Sequence, residues 1–130
     1  MTSKGALERI IMDVLWPETE PLLVRELMER VNKHTDRPLA YTTVQTVADR
    51  LVAKDLLVRT RHGNAWRYAT RQSREDHVAA LMLEALSGVT DSGLTLSRFA
   101  EGIEGEDAHR LLEALSRRAL QGLKPDGTGS

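Results

Sequence analysis

The sequence predicts a mainly α fold with one small β-hairpin, and three observations predict it. Apolar residues recur at helical spacing in six segments. One stretch, residues 56–69, instead alternates around a turn. No apolar run approaches the roughly 20 residues that span a bilayer, so no membrane insertion is expected. With 130 residues, 41% of them apolar and 28% charged, the chain suits a folded domain with an accessory arm rather than a disordered segment.

Leu7, Ile10, Ile11, Val14 and Leu15 lie on one stripe of a first helix, with Ser3 as its N-cap. Trp16-Pro17 ends it, because the residue before proline is driven out of the α region. Pro21-Leu22-Leu23 reads as a short extended link. Val24, Leu27, Met28 and Val31 mark a second helix, closed by the polar stretch from Lys33 to Pro38. A third begins near Tyr41 and turns Val44, Val47, Ala48 and Leu51 inward. Asp55 then stands where a helix end takes a residue in the left-handed conformation.

Leu56 to Arg61 and Ala65 to Ala69 read as two strands, with His62-Gly63-Asn64 as the turn between them. Ser73-Arg74-Glu75-Asp76 is a helix-start signal for a fourth helix carrying Val78, Leu81, Met82, Ala85 and Leu86. Gly88 ends it. A fifth holds Leu94, Leu96, Phe99, Ala100 and Ile103. The sixth runs from about Glu106 to Gln121, with Leu111, Leu112, Leu115, Ala119 and Leu120 apolar and Gly122 as its C′ residue. The glycine-containing end from Lys124 to Ser130 is expected to fray.

Three helices followed by a hairpin is the element order of a winged helix-turn-helix. The organisation expected is a winged helix-turn-helix DNA-binding domain over 1–72, a helical dimerisation arm over 73–122 and a flexible tail over 123–130. The arm is too short to bury its stripes against itself. Leaving each large side chain wet costs roughly 1.5–3 kcal/mol, and such a patch marks an interface. A second copy is the simplest cover, through Val78, Leu81, Met82, Leu86, Leu96, Phe99, Leu111, Leu112 and Leu115.

Charge divides along the chain in the same way. Residues 1–74 hold 13 basic against 9 acidic side chains, and residues 75–130 hold 5 against 10, which hides two opposite halves behind a net charge of −1. The excess of basic residues peaks over 37–74, the third helix and hairpin. A basic first half and an acidic second half suggest two jobs on one chain, with contact to double-stranded DNA as one of them; solvated faces that differ by chance are the alternative.

On a helical wheel the third helix presents Thr42, Gln45, Thr46, Asp49 and Ala53 opposite its apolar face, with Thr43 and Arg50 on one flank. Thr42 and Thr43 sit at the N-terminal turn, where free N–H groups and the helix dipole favour phosphate. Capping the helix is the alternative role of Thr42, and the two roles are compatible. Gln45 has the donor and acceptor pair that reads adenine, and Arg50 reaches phosphate or guanine. A merely solvated polar face is the alternative for Gln45. Thr46 is short enough to let the helix approach bases. Asp49 repels phosphate unless it accepts from cytosine or pairs with Arg50 or Lys54. The hairpin offers Arg59, Arg61, His62, Asn64 and Arg67, of which Arg61, His62 and Asn64 lie nearest the tip. Trp66 and Tyr68 share one face and are expected to pack the hairpin onto the helices, with stacking on bases as the alternative.

Enzyme classes find no support. His34, His62, His77 and His109 follow no metal-ligand spacing, and no phosphate-binding or nucleophile-elbow motif is present. No metal and no cofactor is implied. Zero cysteines exclude disulfides and thiolate sites, and the start carries no signal peptide, so the expected compartment is cytoplasmic.

Ala40-Tyr41-Thr42-Thr43-Val44-Gln45-Thr46-Val47, followed by Arg50-Leu51-Val52-x-Lys54-x-Leu56-Leu57, closely resembles the penicillinase-repressor family of transcriptional regulators (the BlaI/MecI type). The opening Leu7-Glu8-x-x-Ile11-Met12-x-x-Leu15-Trp16, the Val24-Arg25-Glu26-Leu27 segment and the hairpin from Arg61 to Tyr68 fit as well. The resemblance covers almost the whole chain. It implies a homodimeric repressor on an inverted-repeat operator of antibiotic-resistance or stress genes. It also implies a membrane sensor-protease system as a partner, with cleavage in the arm at the pair matching Arg98-Phe99. Arginine stands there where the family has asparagine, and Asp55 stands where it commonly has glycine. The rival from another class is a winged-helix protein-interaction module without DNA binding. A third reading is a regulator gated by a small apolar ligand at the dimer interface.

Overall fold

The computed structural model describes residues 3–123. The element order is α1 (Lys4–Leu15), β1 (Leu22–Leu23), α2 (Val24–Val31), α3 (Tyr41–Ala53), β2 (Leu57–His62), β3 (Ala65–Thr70), α4 (Arg74–Ser87), α5 (Ser92–Gly102) and α6 (Gly105–Leu123), with a 3₁₀ turn at Asn32–His34. The architecture is the expected one: mainly helical, with a small antiparallel sheet in the winged-helix order.

Local chemistry explains where the elements begin. The Ser3 hydroxyl accepts from Ala6 N at 3.1 Å and starts α1. Glu26 reaches back to Leu23 N at 2.9 Å, half of a capping box on α2. The Ser73 hydroxyl accepts from Asp76 N at 3.0 Å, and Asp91 caps α5 by accepting from Leu94 N at 2.9 Å. At the end of α3 the chain reverses through Asp55, whose φ of 64° lies in the left-handed region. Between β2 and β3 the register Leu57↔Thr70 to His62↔Ala65 leaves only Gly63 and Asn64 as the loop. Gly63 takes φ +62°, the glycine-first pattern of a type II′ hairpin.

The structure corrects three expectations. Leu22-Leu23 is not a bare link: it is a strand pairing with β3 (Leu22↔Tyr68, Leu23↔Arg67), so the sheet has three strands in the order β1-β3-β2. His62 belongs to β2 rather than to the turn. Gly122 does not stop α6, which continues to Leu123. The expected fraying of Lys124 to Ser130 lies outside the described residues.

The chain divides into two compact units, 1–80 and 81–130. The first holds the core. Leu7, Ile11 and Leu15 of α1 meet Leu27 and Val31 of α2, Val44, Ala48 and Leu51 of α3, and Leu57 and Tyr68 of the sheet. At roughly 25 cal/mol per Å² of apolar surface removed from water, this cluster is the main force holding α3 and the wing to one body. The first turn of α4 also packs within this unit: Arg74 and His77 flank the Trp16 ring at 5.2 and 5.4 Å. In the second unit no residue from 81 to 122 is buried.

Candidate nucleic-acid interface

The helical wheel predicted for α3 holds for its apolar face and its threonines, but not for Gln45 and Asp49, which are half-buried. Val44, Val47, Ala48 and Leu51 are buried, and Thr42, Thr43 and Thr46 are exposed. Gln45 and Arg50 are half-buried, so the reading face is flanked rather than centred by them. Thr42, Thr43, Thr46, Val47 and Arg50 line one open concavity of about 330 Å³.

The N-terminus of α3 is bare. Its N-cap is Ala40, which offers no side-chain acceptor, and neither threonine caps the helix. The N–H groups of the first turn therefore point outward without a side-chain partner, which suits an oxyanion. Asn32 fixes the approach to this end. Its carbonyl oxygen accepts from Leu39 N at 2.8 Å and its amide donates to Leu39 O at 3.4 Å. Sequence reasoning missed Asn32, because a clamp on a residue seven positions away has no periodic signal. It also missed Tyr41, an exposed aromatic at the first position of α3.

On the wing, Arg61, His62 and Asn64 are exposed at the tip, as expected. The Arg61 Nε donates to Gly63 O at 3.2 Å, and its guanidinium lies 5.1 Å from the Trp66 ring centre. That contact holds the cation out along the strand while its terminal nitrogens stay free of other protein acceptors among the described residues. Trp66 and Tyr68 do share a face, but they differ in role. Tyr68 is fully buried, whereas Trp66 is half-covered, with Arg59 4.0 Å above its ring.

Asp49 pairs with neither Arg50 nor Lys54. Its carboxylate accepts from the Tyr68 hydroxyl at 2.5 Å and from Arg59 Nη1 at 2.9 Å. Lys54 is drawn away to Glu8 instead, at 2.9 and 3.0 Å. The wheel pointed Asp49 outward, but the sheet edge closes over that flank of the helix and supplies donors from a distant segment. Burial, helped by the neighbouring carboxylate, pushes the Tyr68 phenol up to about 12. The guanidinium of Arg59 is held above its ordinary value, first by the Tyr68 oxygen and then by Asp49.

The residues assigned to dimerisation are apolar and largely uncovered, Val78 in the first unit and the others in the second. Val78, Leu81, Met82, Leu96, Phe99, Leu111, Leu112 and Leu115 are exposed, Leu112 to 61%, and Leu86 is half-buried. Leu83 (68%), Val89, Leu94 and Leu120 of the second unit are exposed as well. Arg98 and Phe99 lie inside α5, exposed, with Arg98 paired to Glu101 at 3.3 Å. Among the described residues no cluster of histidines and carboxylates could hold a metal, and no helix is long and apolar enough to cross a membrane.

Three helices, a small three-stranded sheet carrying a hairpin wing, and a bare-ended third helix define a winged helix-turn-helix protein. The chain belongs to the penicillinase repressor family, whose model matches residues 4–117. It is 42% identical over 119 residues to the transcriptional regulator BlaI of Mycobacterium tuberculosis, in strain CDC 1551 / Oshkosh and in strain ATCC 25618 / H37Rv. The match covers 89% of this chain and 85% of the relative. Among solved structures, the complex structure of hsRosR-S1 matches with a TM-score of 0.48 at 18% identity, over 92% of this chain and 94% of that one. The family is one of regulators, not enzymes.

Proposed function

We propose that this repressor works as a homodimer on an inverted-repeat operator, with α3 of each protomer in a major groove and each wing along the flanking backbone. Thr42 and Thr43 anchor a phosphate at the bare helix end. Gln45, Thr46 and Arg50 face the bases, and Arg61, His62 and Asn64 follow the backbone. Two half-sites lie about one helical turn, ~34 Å, apart. The observation that carries this reading is the concavity lined by Thr42, Thr43, Thr46 and Arg50 at an uncapped helix start.

Target genes of antibiotic resistance accord with the relative's name, BlaI. Release follows from breaking the arm, since a single head loses the effective concentration that joins two. A sensor-protease acting at Arg98-Phe99 must first unwind α5, because the bond lies in mid-helix.

Binding of the full chain to a palindromic promoter segment across a salt series tests the proposal. Affinity falls steeply as salt rises, because phosphate contacts release counterions. Gln45→Ala relaxes sequence preference, and Arg61→Ala weakens operator and scrambled duplex alike. Equal binding by the wild type and both variants overturns the contact assignment.

A further inference from the structure

We propose that Asp49 is a positioning residue for operator reading: its carboxylate ties α3 to the wing through Tyr68 and Arg59, and so withholds Arg59 from the cations free to meet phosphate. The inference rests on the reading of α3 and the wing as the DNA-contacting surfaces.

Asp49 lies one turn after Gln45 and next to Arg50, two of the residues assigned to the bases above. Its two donors stand opposite each other in the sheet, since Arg59 and Tyr68 are register partners. Tyr68 cannot swing, because its ring is fully buried in the core. Arg59 is held on its other face by the Trp66 ring at 4.0 Å. The carboxylate therefore meets two donors whose positions are set by the fold, at 2.5 and 2.9 Å. Charge-assisted hydrogen bonds of this kind are the strong ones. The pair Asp49–Arg59 carries no net charge, which removes the repulsion that a free carboxylate on this face exerts on phosphate. Reading two surfaces of one duplex demands that helix and wing hold their mutual geometry to a fraction of an ångström. Asp49 is the side chain of α3 that hydrogen-bonds to the wing among the described residues.

The test is binding of the full chain to operator and to scrambled duplex over a salt series, with folding of each variant checked by circular dichroism. Tyr68→Phe removes the uncharged arm of the tether. It lowers the operator-to-scrambled ratio by about tenfold, the size of one charge-assisted bond, and leaves the salt slope unchanged. Asp49→Ala frees Arg59, so the log–log salt slope steepens by about 0.9, one further phosphate. In an Arg59→Ala background the same change leaves the slope where it was. An equal steepening in both backgrounds means that Asp49 acts as a lone repelling charge, and it overturns the proposal. So does an unchanged ratio in Tyr68→Phe. A wild type that binds no duplex at low salt removes the DNA reading instead. The tether is then judged by urea unfolding of Asp49→Asn, Tyr68→Phe and the double variant: losses in midpoint that overlap support it, and fully additive losses overturn it.

Discussion

Tyr68 shows how much one side chain joins. Its ring closes the core beneath α3, and its hydroxyl reaches Asp49 on the helix above. Burial raises its phenol from 10.0 to about 12, which gives stability a definite pH dependence. The unfolded chain sheds this proton first, so the contribution is complete below pH 10 and is lost as pH rises towards about 12. Urea midpoints of the wild type fall through that window, and Tyr68→Phe lacks this part of the fall. Leu27, fully buried between α1 and α3, sets the other extreme, a residue that does nothing but pack. Leu27→Ala costs about 2–5 kcal/mol in urea unfolding, through lost transfer energy and the cavity left behind. The outward face of α3 was legible in sequence at Thr42, Thr43 and Thr46, because a helix sets its faces by local spacing alone. The partners of Asp49 were not, because they lie 10 and 19 residues away on another element.

Among the elements, α3 and the wing were predictable and β1 was not. A strand of two residues has no alternation to read; it exists because β3 offers it a free edge. The reversal after α3 was predictable, since the helix must turn sharply to launch β2. Asp55 performs that reversal at φ 64° with a β-carbon that disfavours the left-handed region, and it places a negative charge at a helix C-terminus. Its ion pair with Arg71, at 3.5 Å and largely exposed, offsets little. Asp55→Gly therefore raises stability by about 0.3–1 kcal/mol in thermal or urea unfolding, and Asp55→Val lowers it. Operator affinity stays unchanged in Asp55→Gly, because the residue lies at the end of α3 away from the bare N-terminus.

At the scale of the whole molecule, the two units divide the physical work. The first buries a core and presents α3 and the wing; the second buries nothing between residues 81 and 122 and displays leucines. On the homodimer proposed above, Leu112→Glu and Leu115→Glu together convert dimers to single chains in sedimentation equilibrium at micromolar concentration. The same double variant loses about 10²-fold or more in operator affinity while keeping its near-wild-type circular dichroism, since only the link between two heads is cut. Dimers that persist in the double variant assign the leucines another role.

Helix positions, the hairpin turn and the polar face of α3 follow from neighbours within one or two turns of chain, and a linear sequence carries such information directly. The third strand, the clamp of Asn32 on Leu39 and the capture of Asp49 by the wing depend on which distant surfaces meet once the core closes. Burial brings those segments together without leaving any periodic trace in the sequence, so folding in three dimensions was needed to assign their partners.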